Sequence, residues 1–241
     1  MNIGVILAGG FSRRMNHSCN LPKQFIEVNG KPVIAYTIEN LQSDPLIDHI
    51  LVAARREHFA LVEEIKSKFG LSKIKWLSES GEQRHDSLYN ALKYLEGVCK
   101  PDDIIVSLSA VAPILSREAF RESIAAARES GAATTAMPLR NTLIVAGEGG
   151  AILEIPDRGN FRVITEPHAY RYGVIREAYD RAYSEHYFDA SVTDDAQILH
   201  HAGFEQVIID GNTDFIKITF QNDVRVFEQY INECGFGENR C

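Results

Sequence analysis

Short apolar runs alternate with amphipathic helical stretches along most of this chain, and that rhythm limits the fold more than any other feature. Residues 3–8 read as a buried parallel strand, because the run is short, continuous and rich in branched side chains. Residues 33–41 read as a helix and 47–53 as the next strand. A helix over 57–69 follows, with Leu61, Val62, Ile65 and Phe69 on one stripe. Then come a strand at 73–77, a helix at 86–94, a buried strand at 104–108 and a helix at 117–129. Gly131 is placed to cap that helix, and 132–137 is another strand. Such alternation predicts an α/β fold, a doubly wound and mostly parallel sheet with helices on both faces. A site in such a sheet lies beyond the carboxyl ends of its strands.

The rhythm breaks between Pro138 and Pro167. Two β-like runs, 143–146 and 151–155, flank the turn signal Gly147-Glu148-Gly149-Gly150. A hairpin that leaves an α/β body has the form of an arm for a partner subunit. Helices over 170–183 and 194–201, strands over 207–209 and 215–219 and a last helix over 222–232 restore the pattern. With no repeat and no low-complexity linker, the expectation is one domain over 1–241 with an arm at about 139–165.

After the first strand, Gly9 and Gly10 let the backbone turn tightly and present its N–H groups. Arg13, Arg14 and Lys23 follow. A strand, a glycine turn and three cations form a cradle for a polyphosphate; an ordinary βα turn with solvated arginines is the alternative. The loop lacks the Gly-Lys-Ser/Thr of a Walker A motif and the G-x-G-x-x-G of a dinucleotide site. The net charge of −8 argues against a nucleic-acid groove. A small anion stays open, because local cations decide that. No apolar run reaches the length of a membrane span, and no basic segment precedes a long apolar one, so neither membrane insertion nor a signal peptide is expected. Cysteines 19, 99, 234 and 241 show no C-x-x-C spacing and suit free thiols in a reducing cytoplasm. His200 and His201 are adjacent and face different sides of a helix, so they form no ligand pair. A G-x-S-x-G elbow for a serine hydrolase is absent.

LAGGFSRRM followed by LPKQF resembles the L-A-G-G-x-G-x-R-M…P-K-Q-F signature of the sugar-nucleotidyltransferase superfamily. Within it, the chain is most similar to the cytidylyltransferases acting on 2-C-methyl-D-erythritol 4-phosphate or ribitol 5-phosphate. The resemblance covers nearly the whole chain and implies a Rossmann-like nucleotidyltransferase fold. It also implies that Leu7, Ala8, Gly9, Gly10, Phe11, Ser12 and Arg13 wrap the triphosphate of CTP, with Arg14 and Lys23 catalytic. Ser12 replaces a glycine and can follow the same path only at negative φ. The stretch Ser80–Ser87 resembles G-G-x-x-R-x-x-S-V, in which the glycine and serine meet the cytosine and the arginine places the nucleotide; these are Gly81, Ser87 and Arg84. Gly81 would admit a flat base to the backbone and Ser87 would offer it a hydroxyl. A plain helix cap at Asp86 or Ser87 is the structural alternative.

Val192-Thr193-Asp194-Asp195-Ala196 resembles T-D-D-A, where Asp194 is a natural N-cap. Asp214–Thr219 resembles the family's G-x-x-x-N-I-K-V-T ending, which implies that Lys217 contacts phosphate and is catalytic together with Arg14 and Lys23, and that Asp214 lies near Mg²⁺. Phe215 stands where asparagine is usual. Arg158 and Thr142 fall at acceptor-binding positions on the arm, which in the family crosses a homodimer. The Ile-Pro-x-Arg form, the L-P-K-Q-F loop and Ala110-Val111 are closer to the ribitol-phosphate branch. Three further places depart from the pattern. Q-T-P-Q is represented only by Ile164-Thr165-Glu166-Pro167-His168, and Asn141 replaces an aspartate. V-x-H-D-A-x-R-P becomes Val106–Pro113, with Leu108 for histidine, Ser109 for the main Mg²⁺ aspartate and Ala112 for arginine. Ser109 and Ala110 keep nucleotide-binding positions, but serine supplies no charge for Mg²⁺.

The resemblance thus implies a cytoplasmic homodimer that transfers CMP from CTP to a phosphorylated polyol and releases pyrophosphate. The acceptor phosphate attacks in line, with Mg²⁺ as cofactor, and neither nucleic acid nor membrane is a partner. A non-catalytic nucleotide-binding relative is the second reading, motivated by Ser109.

Overall fold

The computed structural model describes residues 1–10, 21–189, 191–211 and 215–236. The strands are β1 (Asn2–Ala8), β2 (Glu27–Val28), β3 (Lys31–Pro32), β4 (His49–Ala54), β5 (Ile74–Glu79) and β6 (Ile104–Ser109), then β7 (Ala132–Pro138), β8 (Val145–Ala146), β9 (Ile152–Glu154), β10 (Arg162–Arg171) and β11 (Val207–Asp210). The α-helices are α1 (Val33–Ser43), α2 (Phe59–Phe69), α3 (Arg84–Tyr94) and α4 (Arg117–Ser130), followed by α5 (Tyr172–Ser184), α6 (Asp195–His201) and α7 (Gln221–Cys234). The main sheet runs in the order β11-β7-β10-β6-β1-β4-β5. Its neighbours are parallel except β10, which is antiparallel to both β6 and β7.

The period of two decides which face each side chain serves. Ile6, Ala8, Val52, Val106 and Leu108 pack against α1, α2 and α4. Ile3, Val5, Leu51, Ile105 and Tyr170 pack against α3, α5 and α6. That is the doubly wound arrangement the alternation predicts. Gly4 lets α1 close down on β1, since a Cβ there would lie 2.1 Å from Leu41 Cδ2. A third cluster, with Val28, Val33 and Tyr36 against Ile218, Val224 and Phe227, docks α7 onto α1.

Four expectations need correction. Residues 215–219 are not a strand; their recorded tie to β6 is a single bond, Ile218 N–H to the Val111 carbonyl at 2.9 Å, just past the strand's end. The helix expected from Tyr170 begins at Tyr172, because Tyr170 and Arg171 belong to β10. Arg162, Val163 and Ile164, assigned to the arm, pair with Pro138, Met137 and Ala136 of β7. The hairpin itself forms, as β8 with β9, and carries Ile152, Leu153 and Ile155 at 59%, 68% and 62% exposure. Cys99 is a free thiol, but Cys234 is disulfide-bonded, contrary to the free-thiol expectation; sequence spacing does not report which thiols a fold brings together. Among the described residues no helix is long and apolar enough to cross a membrane.

Candidate active site

The carboxyl ends of β1 and β6, the loop before α3, the segment before α6 and residues 217–219 enclose one cleft of about 980 Å³. Leu7, Gly9, Gly10, Lys23, Gly81, Arg84, Ser87, Ser109, Ala110 and Lys217 line it, so most of the sequence-derived residues converge. Ala8 lies just behind, buried, with its carbonyl accepting from Gln24 Nε2 at 2.7 Å. Phe11, Ser12, Arg13, Arg14 and Asp214 fall outside the described residues. Thr142 and Arg158 are exposed on the arm and do not line this cleft; Arg158 Nη1 donates to the Arg140 carbonyl at 2.7 Å.

Close backbone contact shapes the glycine end. A Cβ on Gly9 would lie 2.5 Å from Ser80 Cβ, so glycine there lets β1 meet the Ser80 loop, whereas a Cβ on Gly10 would meet no atom of the described residues within 4 Å. Gly81 is needed for a different reason than base approach alone, since its Cβ would lie 2.1 Å from Asp86 Cβ. Ser87 Oγ accepts from Gly81 N–H at 3.1 Å and donates to the Gln83 carbonyl at 2.9 Å. Its hydroxyl proton therefore serves its own loop. Asp86 closes the helix start by accepting from Gln83 N–H at 3.0 Å, so the capping role belongs to Asp86.

Arg84 lines the cleft and also holds a buried partner. It donates to Asp195, which is 0% exposed and also accepts from Tyr179 Oη at 2.7 Å and Ser107 Oγ at 3.5 Å. Burial opposes the Arg84 charge, but Asp195 and Asp194 hold its pKa well above the ordinary value. Asp194 caps α6 as expected, accepting from Ala196 N–H at 3.0 Å, and Gln197 Oε1 accepts from Asp194 N–H at 3.1 Å. Burial pushes the Asp194 carboxyl up, yet neighbouring His168 and Arg84 hold it well below the carboxylate range.

Two lysines face the cleft from opposite sides of one backbone link. Lys23 Nζ donates to the Ile218 carbonyl at 2.8 Å, while Ile218 N–H bonds to Val111. Lys217, next in the chain, donates from Nζ to Glu166 Oε1 at 3.0 Å. Glu166 Oε1 also accepts from Ser109 Oγ, and Oε2 from Ser109 N–H, each at 2.6 Å. Burial would raise the Glu166 pKa, but Lys217, Arg84 and the two Ser109 bonds bring it below its ordinary value. Sequence reasoning missed Glu166, Asp195 and Tyr179. A carboxylate between the β-branched run Val163-Ile164-Thr165 and Pro167 was the available signal for Glu166.

No group of three or more His, Cys, Asp or Glu side chains among the described residues is placed to hold a metal. Ser109 gives no charge and both Glu166 oxygens are taken, so these residues do not build a metal cage.

A doubly wound sheet with a glycine turn, a second glycine loop and two lysines at its carboxyl edge has the parts of a nucleotide-binding cleft. The model for 2-C-methyl-D-erythritol 4-phosphate cytidylyltransferase matches residues 3–233, and the chain belongs to that family. It is 30% identical to the ribitol-5-phosphate cytidylyltransferase of Lacticaseibacillus paracasei, over 97% of this chain and 99% of that one. It is 32% identical to the 2-C-methyl-D-erythritol 4-phosphate cytidylyltransferase of Alkaliphilus oremlandii, over 94% and 93%. The crystal structure of 4-diphosphocytidyl-2C-methyl-D-erythritol synthase from Anaerococcus prevotii shares the fold, with TM-score 0.80 and 23% identity over 96% of each chain. The enzyme reading thus stands, and the non-catalytic alternative is not favoured.

Proposed function

We propose that the cleft binds CTP and transfers CMP to a phosphorylated polyol of the ribitol 5-phosphate or 2-C-methyl-D-erythritol 4-phosphate type, releasing pyrophosphate. The observation that carries this reading is the convergence of Gly9-Gly10, Gly81 and the two lysines on one cleft. The Gly9-Gly10 turn faces the triphosphate, the Gly81 loop faces the base, and Lys23 and Lys217 meet the phosphates. A phosphate oxygen of the acceptor attacks the α-phosphorus, and the bond to the pyrophosphate oxygen breaks in line. The protein contributes position and charge, with no covalent intermediate. Enzymes of this family are generally divalent-metal dependent, and the proposal includes such an ion. That ion is proposed to be Mg²⁺, which supplies charge neutralisation between phosphates when bound. It would ride on the nucleotide, with Asp214 its candidate protein ligand by motif.

The arm is proposed to pack on a second copy of the chain, which would cover Ile152, Leu153 and Ile155 and bring Thr142 and Arg158 to the acceptor end of the neighbouring cleft. Leu153→Asp should convert a dimer to a monomer by light scattering; a wild-type monomer would end the arm's role. The activity is tested by pyrophosphate release with each nucleoside triphosphate against a panel of sugar and polyol phosphates. CTP with a polyol phosphate should give the highest kcat/KM. No release with any pair, together with no heat of CTP binding in Mg²⁺, would refute the reading.

A further inference from the structure

We infer that Glu166 is a positioning residue of the transfer site, holding the Lys217 ammonium and the end of β6 where the substrate's phosphates must meet them. The inference rests on the CTP-dependent reading above. Glu166 reaches this place through strand order. β10 lies antiparallel beside β6 with His168 opposite Ser107, so two residues further along, Glu166 comes beside Ser109. The pairing of β10 with β7 slips between Ile164 and His168, an irregularity of the kind that re-aims a side chain.

The burial on the two sides of the ion pair is unequal. The Glu166 side chain is 4% exposed and stands behind the wall, whereas Lys217 is 42% exposed and lines the cleft. A pair kept only for stability has no need to present its cation to the cleft. Lys217 ends a flexible four-carbon stem, and an unanchored ammonium would sample many positions. The carboxylate removes that freedom before substrate arrives, the general means by which a fixed charge contributes to catalysis. Ser109 completes the device. Its amide and hydroxyl both donate to Glu166, so three donors hold one buried anion. A carboxylate at position 109 would face Glu166 at hydrogen-bond distance, where two anions cannot both stay ionised. Serine is the residue that this glutamate requires.

The test is a double-mutant cycle in the full-length protein, with kcat/KM for CTP and acceptor referred to the CTP-binding sites counted by calorimetry. Glu166→Gln and Lys217→Gln should each lower kcat/KM by about tenfold to a hundredfold, the scale of a displaced catalytic group. If Glu166 acts through Lys217, Glu166→Gln in the Lys217→Gln background should cost no more than about twofold. Losses that multiply in the double variant would overturn the inference, since the two residues would then act independently. Normalising to binding-competent sites removes any loss of folded protein, which a merely structural residue would cause. Should Glu166→Gln fail to fold, Ser109→Ala removes one of the three donors and leaves the charge in place. It should lower kcat/KM a few-fold in wild type and not in Lys217→Gln; equal loss in both overturns the inference. Wild type that neither binds CTP nor releases pyrophosphate refutes the functional reading itself, whereas active wild type with a multiplicative cycle refutes only the role of Glu166.

Discussion

Arg84→Ala separates two accounts of one residue. The motif makes Arg84 a nucleotide ligand, while the structure binds it to Asp195, a carboxylate with 0% exposure. Removing the guanidinium leaves that anion with Tyr179 Oη at 2.7 Å and Ser107 Oγ at 3.5 Å as its remaining donors. Breaking a buried pair from one side costs about 3–5 kcal/mol, because the other charge stays buried. The Arg84 side chain keeps 21% exposure, which admits some water and favours the lower end, about 3 kcal/mol. For a chain of 241 residues, at about 2 °C per kcal/mol, the melting temperature should fall by about 6 °C. Adding Asp195→Asn should return more than half of the loss, since the stranded charge is then gone. The assay is calorimetric melting without ligand, alongside CTP titration. A melting temperature within about 2 °C of wild type, with CTP affinity lost, would refute the ion-pair account and return Arg84 to the nucleotide.

Other outcomes follow from the same geometry. Gly9→Ala should destabilise by about 1–3 kcal/mol in urea, because its Cβ would lie 2.5 Å from Ser80 Cβ, while Gly10→Ala should fold normally; equal stability of the two would refute the contact. Glu166 and Asp194 have folded pKa values below their ordinary 4.5 and 3.8, so the stability they contribute is present above those values and lost as pH falls below them. Unfolding free energy should therefore drop on acidification from about pH 6 towards pH 3, less steeply in Asp194→Asn; a flat profile would contradict the sign. Burial, with Asp103 adding to it, pushes the Cys99 thiol up to about 12, so peptide mapping should show slow alkylation at about pH 8; labelling as fast as free cysteine would contradict it.

The strands that form apolar runs were legible because burial on both faces leaves an unbroken pattern. β10 was not. Its middle reads Thr165-Glu166-Pro167-His168, and a proline with two polar neighbours argues against an interior strand. It also follows directly on the arm signal, so one break in rhythm absorbed both features. Residues 215–219 failed in the opposite direction: Phe215, Ile216 and Ile218 look like a strand, but the segment lies past the end of β6 and finds one carbonyl there. The cleft lysines and glycines were legible as local patterns. The Arg84–Asp195 pair was not legible because its members are 111 residues apart, a distance that no local pattern reports.

The same limit governs position 109. A motif assigns charge to a place in the chain, whereas a phosphate responds to charge at a place in space. Serine at 109 removes an anion from the end of β6, and Glu166 returns one from the adjacent strand, 2.6 Å from the serine hydroxyl. The return is not a simple substitution, because the new anion is buried and already holds Lys217. An exposed aspartate would offer its oxygens to a metal; this glutamate spends its acceptor capacity on an amide, a hydroxyl and an ammonium. On the proposed function, charge neutralisation at the phosphates would rest more on fixed lysines, and the precision of Lys217 would matter correspondingly more. Such a site can lose a motif residue without losing the electrostatic work that residue performed, provided the replacement arrives with its own partners.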